Sequence, residues 1–247
     1  MKPTALIFDV DGTLAETEEL HRQAFNEAFA TAGLRWHWDA PTYRRLLDVA
    51  GGKERIAHFL AIAEDVRLDA GQIADLHAAK TRRYTALVAQ GALLRPGVAR
   101  LIAEARAAGV ALAIATTTSL PNVEALLCAA LGDDALDAFA VIGAGDVVGA
   151  KKPSPQIYHY VLERLALDAA DCVAFEDSSN GVRSARGAGI PTIVTPGIYT
   201  EGDDFAGALA VLSNLGEPEA PYRHLAGAGA DDAMVTLDVL SRWIAAI

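Results

Sequence analysis

An α/β protein with a doubly wound, Rossmann-like parallel sheet and an inserted α-helical cap domain is predicted by three features of the 247-residue sequence. Short apolar runs alternate with stretches of helical periodicity, the pattern of βαβ units. The alternation is suspended once, from Glu16 to Leu93, where every periodic stretch is helical. Polar, chemistry-bearing clusters stand at the ends of the apolar runs, where open parallel sheets bind ligands.

Along the chain, Ala5 to Phe8 is the first strand candidate, and it runs straight into Asp9-Val10-Asp11. The helical segment then shows three apolar stripes. Leu20, Ala24, Phe25, Ala28 and Phe29 form one; Ile56, Phe59, Leu60 and Ala63 form another; Ile73, Leu76, Lys80 and Tyr84 to Val88 form the third. Trp36 and Trp38 sit in a loop before Pro41 and are expected to pack at the base of this segment. The turn Arg95-Pro96-Gly97 returns the chain to the sheet. Val98, Leu101, Ile102 and Ala105 mark a helix, and Val110 to Ala115 the second strand. Ala140 to Ile142, Cys172 to Phe175 and Thr192 to Val194 are the third, fourth and fifth. Ser154-Pro155 is a helix start ahead of Ile157, Val161 and Leu165. Gly216 to Asp232, rich in Gly, Ala and Pro, reads as loop, and Val235 to Ile244 as a terminal helix. The expected division is a core of residues 1–15 and 94–247 and a cap of residues 16–93, with right-handed crossovers.

The net charge of −11 argues against nucleic acid and anionic membrane as partners. A small anionic substrate would need a local positive site on such a chain. No stretch reaches the ~20 apolar residues of a membrane span, and the N-terminus lacks a secretory pattern. Cys128 and Cys172 sit in apolar runs and read as buried thiols. The expectation is a cytoplasmic monomer.

Asp9 and Asp11 end the first strand. Thr116-Thr117-Thr118 closes the second, Lys151-Lys152-Pro153 follows the third, and Glu176-Asp177-Ser178 closes the fourth. Carboxylates crowded together stay ionised only with a cation among them. Oxygen donors suit a hard cation, and Mg²⁺ is the expected one. Asp9 can then serve as a nucleophile on phosphorus and Asp11 as acid and base over the same centre. Phosphoryl transfer needs a metal, a lysine and hydroxyl or amide donors, and those types are present. Gly12 permits a tight turn and Thr13 can tie it.

"DVDGT" at Asp9 to Thr13, Thr116 after "LAIA", "KKPSP" at Lys151 to Pro155 and "FEDS" at Phe175 to Ser178 resemble the four motifs of the haloacid dehalogenase superfamily. The resemblance spans the chain, and the helical insert is similar to that superfamily's mobile cap. It implies Asp9 as nucleophile, Asp11 as general acid/base, and Thr116 and Lys152 as holders of the phosphoryl group. It implies a Mg²⁺ site of Asp9, Asp177 and the backbone carbonyl of Asp11, with Glu176 a further candidate ligand. Lys152, directly before Pro153, is the family position, and Lys151 its solvated neighbour. "AETEELH" at Ala15 to His21, "GGKER" at Gly51 to Arg55, "ATTTSLPNVEAL" at Ala115 to Leu126 and "KKPSPQIY" at Lys151 to Tyr158 resemble the CbbY-type phosphatases within it. That group removes a phosphate from xylulose-1,5-bisphosphate, a by-product of the carbon-fixing carboxylase. Phosphoglycolate phosphatases and β-phosphoglucomutase share the same core motifs, and so remain alternatives. A non-catalytic phosphosugar-binding protein is the alternative of another class, although no motif position has lost its reactive type.

A cap that closes over the site excludes water and sets specificity. Glu16 at the hinge is a candidate acceptor for sugar hydroxyls. His21 shares a helix face with Thr17, four residues away. Gly51-Gly52-Lys53-Glu54-Arg55 places exposed amides and two cations at a helix start, a candidate site for a second phosphate. The resemblance adds Tyr43 and Lys80 as substrate contacts, and Thr117 and Thr118 complete the candidate substrate set. His37, His58, His77, His159 and His224 lack ligand spacing and are assigned no role.

Overall fold

The computed structural model describes residues 2–63 and 66–246. Five strands, β1 (Ala5–Phe8), β2 (Ala111–Thr116), β3 (Val141–Ala144), β4 (Cys172–Glu176) and β5 (Thr192–Val194), coincide with the five apolar runs to within two residues. Two more, β6 (Ala210–Leu212) and β7 (His224–Gly227), extend the sheet. The order is β3-β2-β1-β4-β5-β6-β7, parallel except for the β6–β7 pair. The chain winds outward from β1 through β2 to β3, then returns to β4 on the other side of β1. That reversal makes the crevice beyond β1 a topological switch point.

The expected loop from Gly216 to Asp232 therefore contains a strand. β7 is exposed along its whole length and lies on the sheet edge. Its stability comes from backbone pairing with β6, and "HLAG" carries neither apolar alternation nor strong strand propensity.

Side chains alternate across the sheet. Leu6, Phe8, Leu112, Ile114, Val173 and Phe175 join the core formed with α5 (Val98–Ala107), α6 (Leu120–Leu131) and α9 (Leu237–Ile244). Ala5, Ile7, Ala113, Ala115, Cys172 and Ala174 face α7 (Gln156–Leu165) and α8 (Ser179–Gly187). The alanines let α7 approach closely, so that Tyr158 is fully buried.

Between β1 and α5 stand α1 (Glu18–Thr31), α2 (Ala40–Leu46), α3 (Gly52–Ala63) and α4 (Ala70–Val88). They share an aromatic core of their own around Trp38, whose ring centroid lies 4.7 Å from Phe25 and 4.8 Å from Phe29. Trp36 and Trp38 are packing residues, as expected. The sequence pattern did not indicate α2, because seven residues are too few to show a period. Its start is set chemically: the Asp39 carboxylate accepts from Thr42 N at 2.8 Å, and Pro41 occupies the first turn. The chain crosses between sheet and helices twice, side by side, with Ala15 bridged to Leu94. Cys172 is buried, but Cys128 is only half-buried, and both are free thiols. Among the described residues, no helix is long and apolar enough to cross a membrane.

Candidate active site

Strand register assembles the site. Phe8 pairs with Ile114 on one side and Phe175 on the other, so the residues after β1 emerge beside the ends of β2 and β4. Asp9 N donates to Phe175 O at 3.0 Å. Asp9, Asp11, Thr116, Lys152 and Asp177 consequently line one cavity of about 430 Å³.

Asp9, Glu176 and Asp177 are buried and can each bring a carboxylate oxygen within 4.8 Å of the others. The Lys152 ammonium donates to Asp9 Oδ1 at 2.7 Å and Glu176 Oε1 at 2.6 Å. Tyr158 OH donates to the same Glu176 oxygen at 2.5 Å. Burial pushes the Asp9 carboxyl up to about 7 against the pull of Lys152, with Glu176 adding to the rise. Burial, Asp9 and Glu176 raise Asp177 well above the carboxylate range. Lys152 is held protonated; burial opposes its charge, and the two carboxylates outweigh burial. Glu176 Oε2 is buried with no hydrogen-bond partner. Three buried carboxylates facing one ammonium, with an orphaned oxygen and an oxygen-only donor set, fit a hard divalent cation. Glu176 itself does not line the cavity. Gly12 closes the turn at φ +79°, and a Cβ there would lie 2.2 Å from Asp177 Oδ2, so no larger residue fits.

Asp11 has different company. Its Oδ1 accepts from Thr17 Oγ1 at 2.6 Å and lies 2.8 Å from His21 Nε2. His21 stacks on Tyr84 with centroids 3.9 Å apart, and its Nδ1 lies 2.5 Å from Lys80 Nζ. Two cations do not persist that close in a buried site, so His21 and Lys80 share one positive charge facing Asp11. The consistent arrangement has Lys80 donating to Nδ1 and Nε2–H donating to Asp11. Burial would raise Asp11, but His21, Thr17 and Lys80 hold it below the ordinary carboxylate range. Burial lowers His21 despite Asp11, and lowers Lys80 to about 7.

Thr117, Thr118 and Ser119 line the cavity at the start of α6. Thr116 Oγ1 accepts from Thr118 N at 3.3 Å, and Ser119 Oγ is buried without a partner. A helix start of this kind presents donors to an anion.

The helical segment contributes His21, Gly51, Gly52, Arg55 and Lys80 to the same cavity. Three other expected contacts point elsewhere. Glu16 pairs with Arg95 at 3.3 Å and does not line the cavity. Tyr43 is fully buried rather than on a helix surface; its OH donates to Glu18 Oε2 at 2.6 Å and accepts from Arg55 Nη1 at 3.1 Å. Lys53 pairs with Asp146 at 2.5 Å and lines a neighbouring cavity instead. The α3 start is also covered by Glu54, whose Oε2 would lie 2.2 Å from a Cβ at Gly51. Lys151 bonds Gly145 O and Asp146 Oδ1, both at 2.6 Å, and stands apart from the acidic cluster, but those two bonds draw its side chain in to 11% exposure, so it is not the solvated neighbour expected.

Other lining residues lay outside the sequence-based set. His77, assigned no role, reaches the crevice, and burial, Lys80 and Lys53 push it down to about 4. Tyr84 does not line the cavity but stacks on His21 behind it, and it follows Lys80 by four residues and so shares its helix face. Arg44 and Arg45 of α2 and Arg183 of α8 also line the cavity. Among the described residues, the ion-paired arginines are Arg22, Arg83, Arg95, Arg100 and Arg242. Arg44, Arg45, Arg55 and Arg183 are not among them, and they line the crevice together with the carboxylates of Glu18, Asp48 and Asp203.

A family profile described as haloacid dehalogenase-like hydrolase matches residues 3–189. The plasmid-encoded protein CbbY of Cupriavidus necator is 55% identical over 230 residues, covering 91% of either chain. The phosphorylated carbohydrates phosphatase of Thermotoga maritima is 33% identical over 191 residues, covering 76% of this chain and 83% of its own. The crystal structure of a CbbY mutant from Rhodobacter sphaeroides in complex with xylulose-(1,5)bisphosphate matches with a TM-score of 0.81 at 55% identity. That match covers 86% of this chain and 94% of the other.

Proposed function

This chain belongs to the haloacid dehalogenase-like hydrolases and is a phosphoric monoester hydrolase; from that premise we propose a Mg²⁺-dependent sugar-bisphosphate phosphatase whose substrate is xylulose-1,5-bisphosphate. The observation that carries the reading is the convergence of Asp9, Asp11, Thr116, Lys152 and Asp177, all set at or beyond strand ends, on one cavity. The choice of substrate is supported by the ligand of the 55%-identical CbbY, and by four cavity-lining arginines that are outside the ion pairs formed among the described residues and suit a second anionic end.

Asp9 attacks phosphorus, forming the Asp9–phosphate bond as the bond to the sugar oxygen breaks. Asp11 gives its proton to that oxygen. In the second half, Asp11 takes a proton from water, the water oxygen bonds to phosphorus, and the Asp9–phosphate bond breaks to release phosphate. Asp9 must be ionised to attack, and the Lys152 ammonium at 2.7 Å favours that form. Asp11 must be protonated to start, and His21 Nε2 at 2.8 Å is placed to deliver the proton. An arriving phosphate dianion favours protonated Asp11 by like-charge repulsion. Thr116 and the amides at the α6 start hold the phosphoryl oxygens. A Mg²⁺ held by Asp9, Asp177 and the Asp11 carbonyl would neutralise the phosphoryl charge. Residues 16–93 act as the cap, supported by the entry of His21, Arg55 and Lys80 into the cavity.

The test is phosphate release with Mg²⁺ and with EDTA, using xylulose-1,5-bisphosphate, ribulose-1,5-bisphosphate, phosphoglycolate and β-glucose-1-phosphate. The expected result is EDTA-sensitive release with preference for xylulose-1,5-bisphosphate over its ribulose epimer. Preference for phosphoglycolate would discard the substrate and keep the site. An isomerised sugar phosphate without free phosphate would make the protein a mutase. Binding without any release would make it a phosphosugar-binding protein.

A further inference from the structure

We infer that Arg95 is a positioning residue, tying the two crossings between sheet and helical segment to the loops that shape the metal site. The inference rests on the metal-dependent reading above.

Arg95 stands on the second crossing, next to Leu94, and its backbone N donates to Leu14 O on the first at 2.8 Å. Its side chain is buried, at 9% exposure, and turned into the core. Nη1 donates to Gly12 O and to Thr195 O, the latter at 2.7 Å. Nη2 donates to Pro196 O at 2.8 Å and Ser213 O at 3.0 Å. One guanidinium thus gathers four carbonyls from the loops after β1, β5 and β6. Glu16, on the first crossing, supplies its counter-charge at 3.3 Å.

What those carbonyls belong to distinguishes this from ordinary packing. The Asp11–Gly12 peptide carries the carbonyl assigned to the metal. Its orientation is set on one side by Gly12 N donating to Ala15 O at 2.9 Å, a residue of the first crossing. On the other side, Arg95 holds the Gly12 carbonyl. Gly12 in turn abuts Asp177 so closely that no Cβ fits between them. The Thr195–Pro196 carbonyls open the loop in which Thr200 Oγ1 accepts from Gly197 N at 2.8 Å and donates to Asp177 Oδ2 at 3.3 Å. Asp11 is therefore one hydrogen bond and one peptide away from Arg95, Asp177 is reached from it through the Pro196–Gly197 peptide and the two hydrogen bonds of Thr200, and Arg95 lies on the crossing about which the helical segment would move. Only a planar fork with five N–H donors meets four carbonyls in this way; an ammonium has three donors at one point.

The experiment is titration calorimetry with Mg²⁺ alone on wild type, Arg95→Lys, Arg95→Met and Glu16→Gln, each checked by thermal melting and by kcat and KM. Loss of an outer support of this kind typically weakens metal binding by about 10- to 100-fold. Folded Arg95→Lys is expected to bind Mg²⁺ at least about tenfold more weakly, with kcat largely restored at saturating Mg²⁺. Glu16→Gln, which removes only the ion pair, should stay within about twofold of wild type, since its partner is a buried hub with four other acceptors. A lower melting temperature with unchanged Mg²⁺ affinity in Arg95→Lys would reduce Arg95 to packing and overturn the inference. If neither Arg95 variant folds, hydrogen exchange on the wild type decides. Added Mg²⁺ should slow exchange in residues 12–17, 94–97 and 195–200 together, whereas independent responses would overturn it. A wild type that binds no Mg²⁺ would instead sink the metal-dependent reading itself.

Discussion

Asp9 and Asp11 are two residues apart and sit in opposite surroundings. Asp9 shares a buried space with Glu176, Asp177 and Lys152, and burial pushes it up to about 7. Asp11 faces Thr17, His21 and Lys80 and stays low. Paired carboxylates whose environments separate their proton affinities are the pattern of divided nucleophile and acid/base roles. Asp9→Asn is expected to cut phosphate release on the order of 10⁴-fold or more. Its melting temperature should not fall, because one of three crowded carboxylates is neutralised. Turnover above about 1% of wild type would remove Asp9 from the nucleophile role. Lys80 carries a prediction in pH. Burial lowers it from 10.5 to about 7. Between those values the unfolded chain holds its proton and the folded chain does not, so this group adds stability as pH rises through that window. Below about 7 both states are protonated and the cost of the buried charge is felt in full. Lys80→Met should therefore show its largest gain in urea midpoint near pH 6.5, shrinking towards pH 10. A gain independent of pH would contradict the depressed lysine.

The elements carry the site with different degrees of legibility. β1, β4 and β5 are buried strands and read as continuous apolar runs, so their ends, and with them Asp9 and Asp177, could be located from the residues alone. Short elements could not. α2 shows no period, yet it supplies Tyr43, whose hydroxyl takes a hydrogen bond from Arg55, and Leu46, whose carbonyl takes another at 3.1 Å. Tyr43, a candidate substrate contact, steadies a residue that lines the cavity instead of lining it itself. Tyr43→Phe should cost about 1 kcal/mol of stability. It should also raise KM for a bisphosphate more than for a monophosphate, with kcat little changed. Equal KM effects on both would place Arg55 away from the second anionic end. Lys53 turns to the neighbouring cavity for another reason: its partner Asp146 is 93 residues away, and no local pattern announces that.

For the whole molecule, a net charge of −11 opposes the approach of a polyanion, and Arg44, Arg45, Arg55 and Arg183 set positive charge among the carboxylates that line the crevice. Glutamine at Arg44, Arg45 and Arg183 together should lower kcat/KM for a bisphosphate and flatten its decline with salt, leaving kcat nearly unchanged. An unchanged salt slope would show that these arginines do not guide the substrate. Charge balance alone already called for such a positive site, but not for its location. From the residues alone came the alternating architecture, the helical insertion, and the four clusters at strand ends. All of these follow from period, apolar runs and the direction in which a strand delivers the residue after it. The folded chain was needed for the turning of Glu16, Tyr43 and Lys53 away from the cavity, for the entry of His77 and the arginines, and for the four carbonyls around Arg95. Those contacts join residues that lie far apart in the chain, and side-chain direction between distant elements follows from packing and charge pairing, which leave no periodic trace in the sequence.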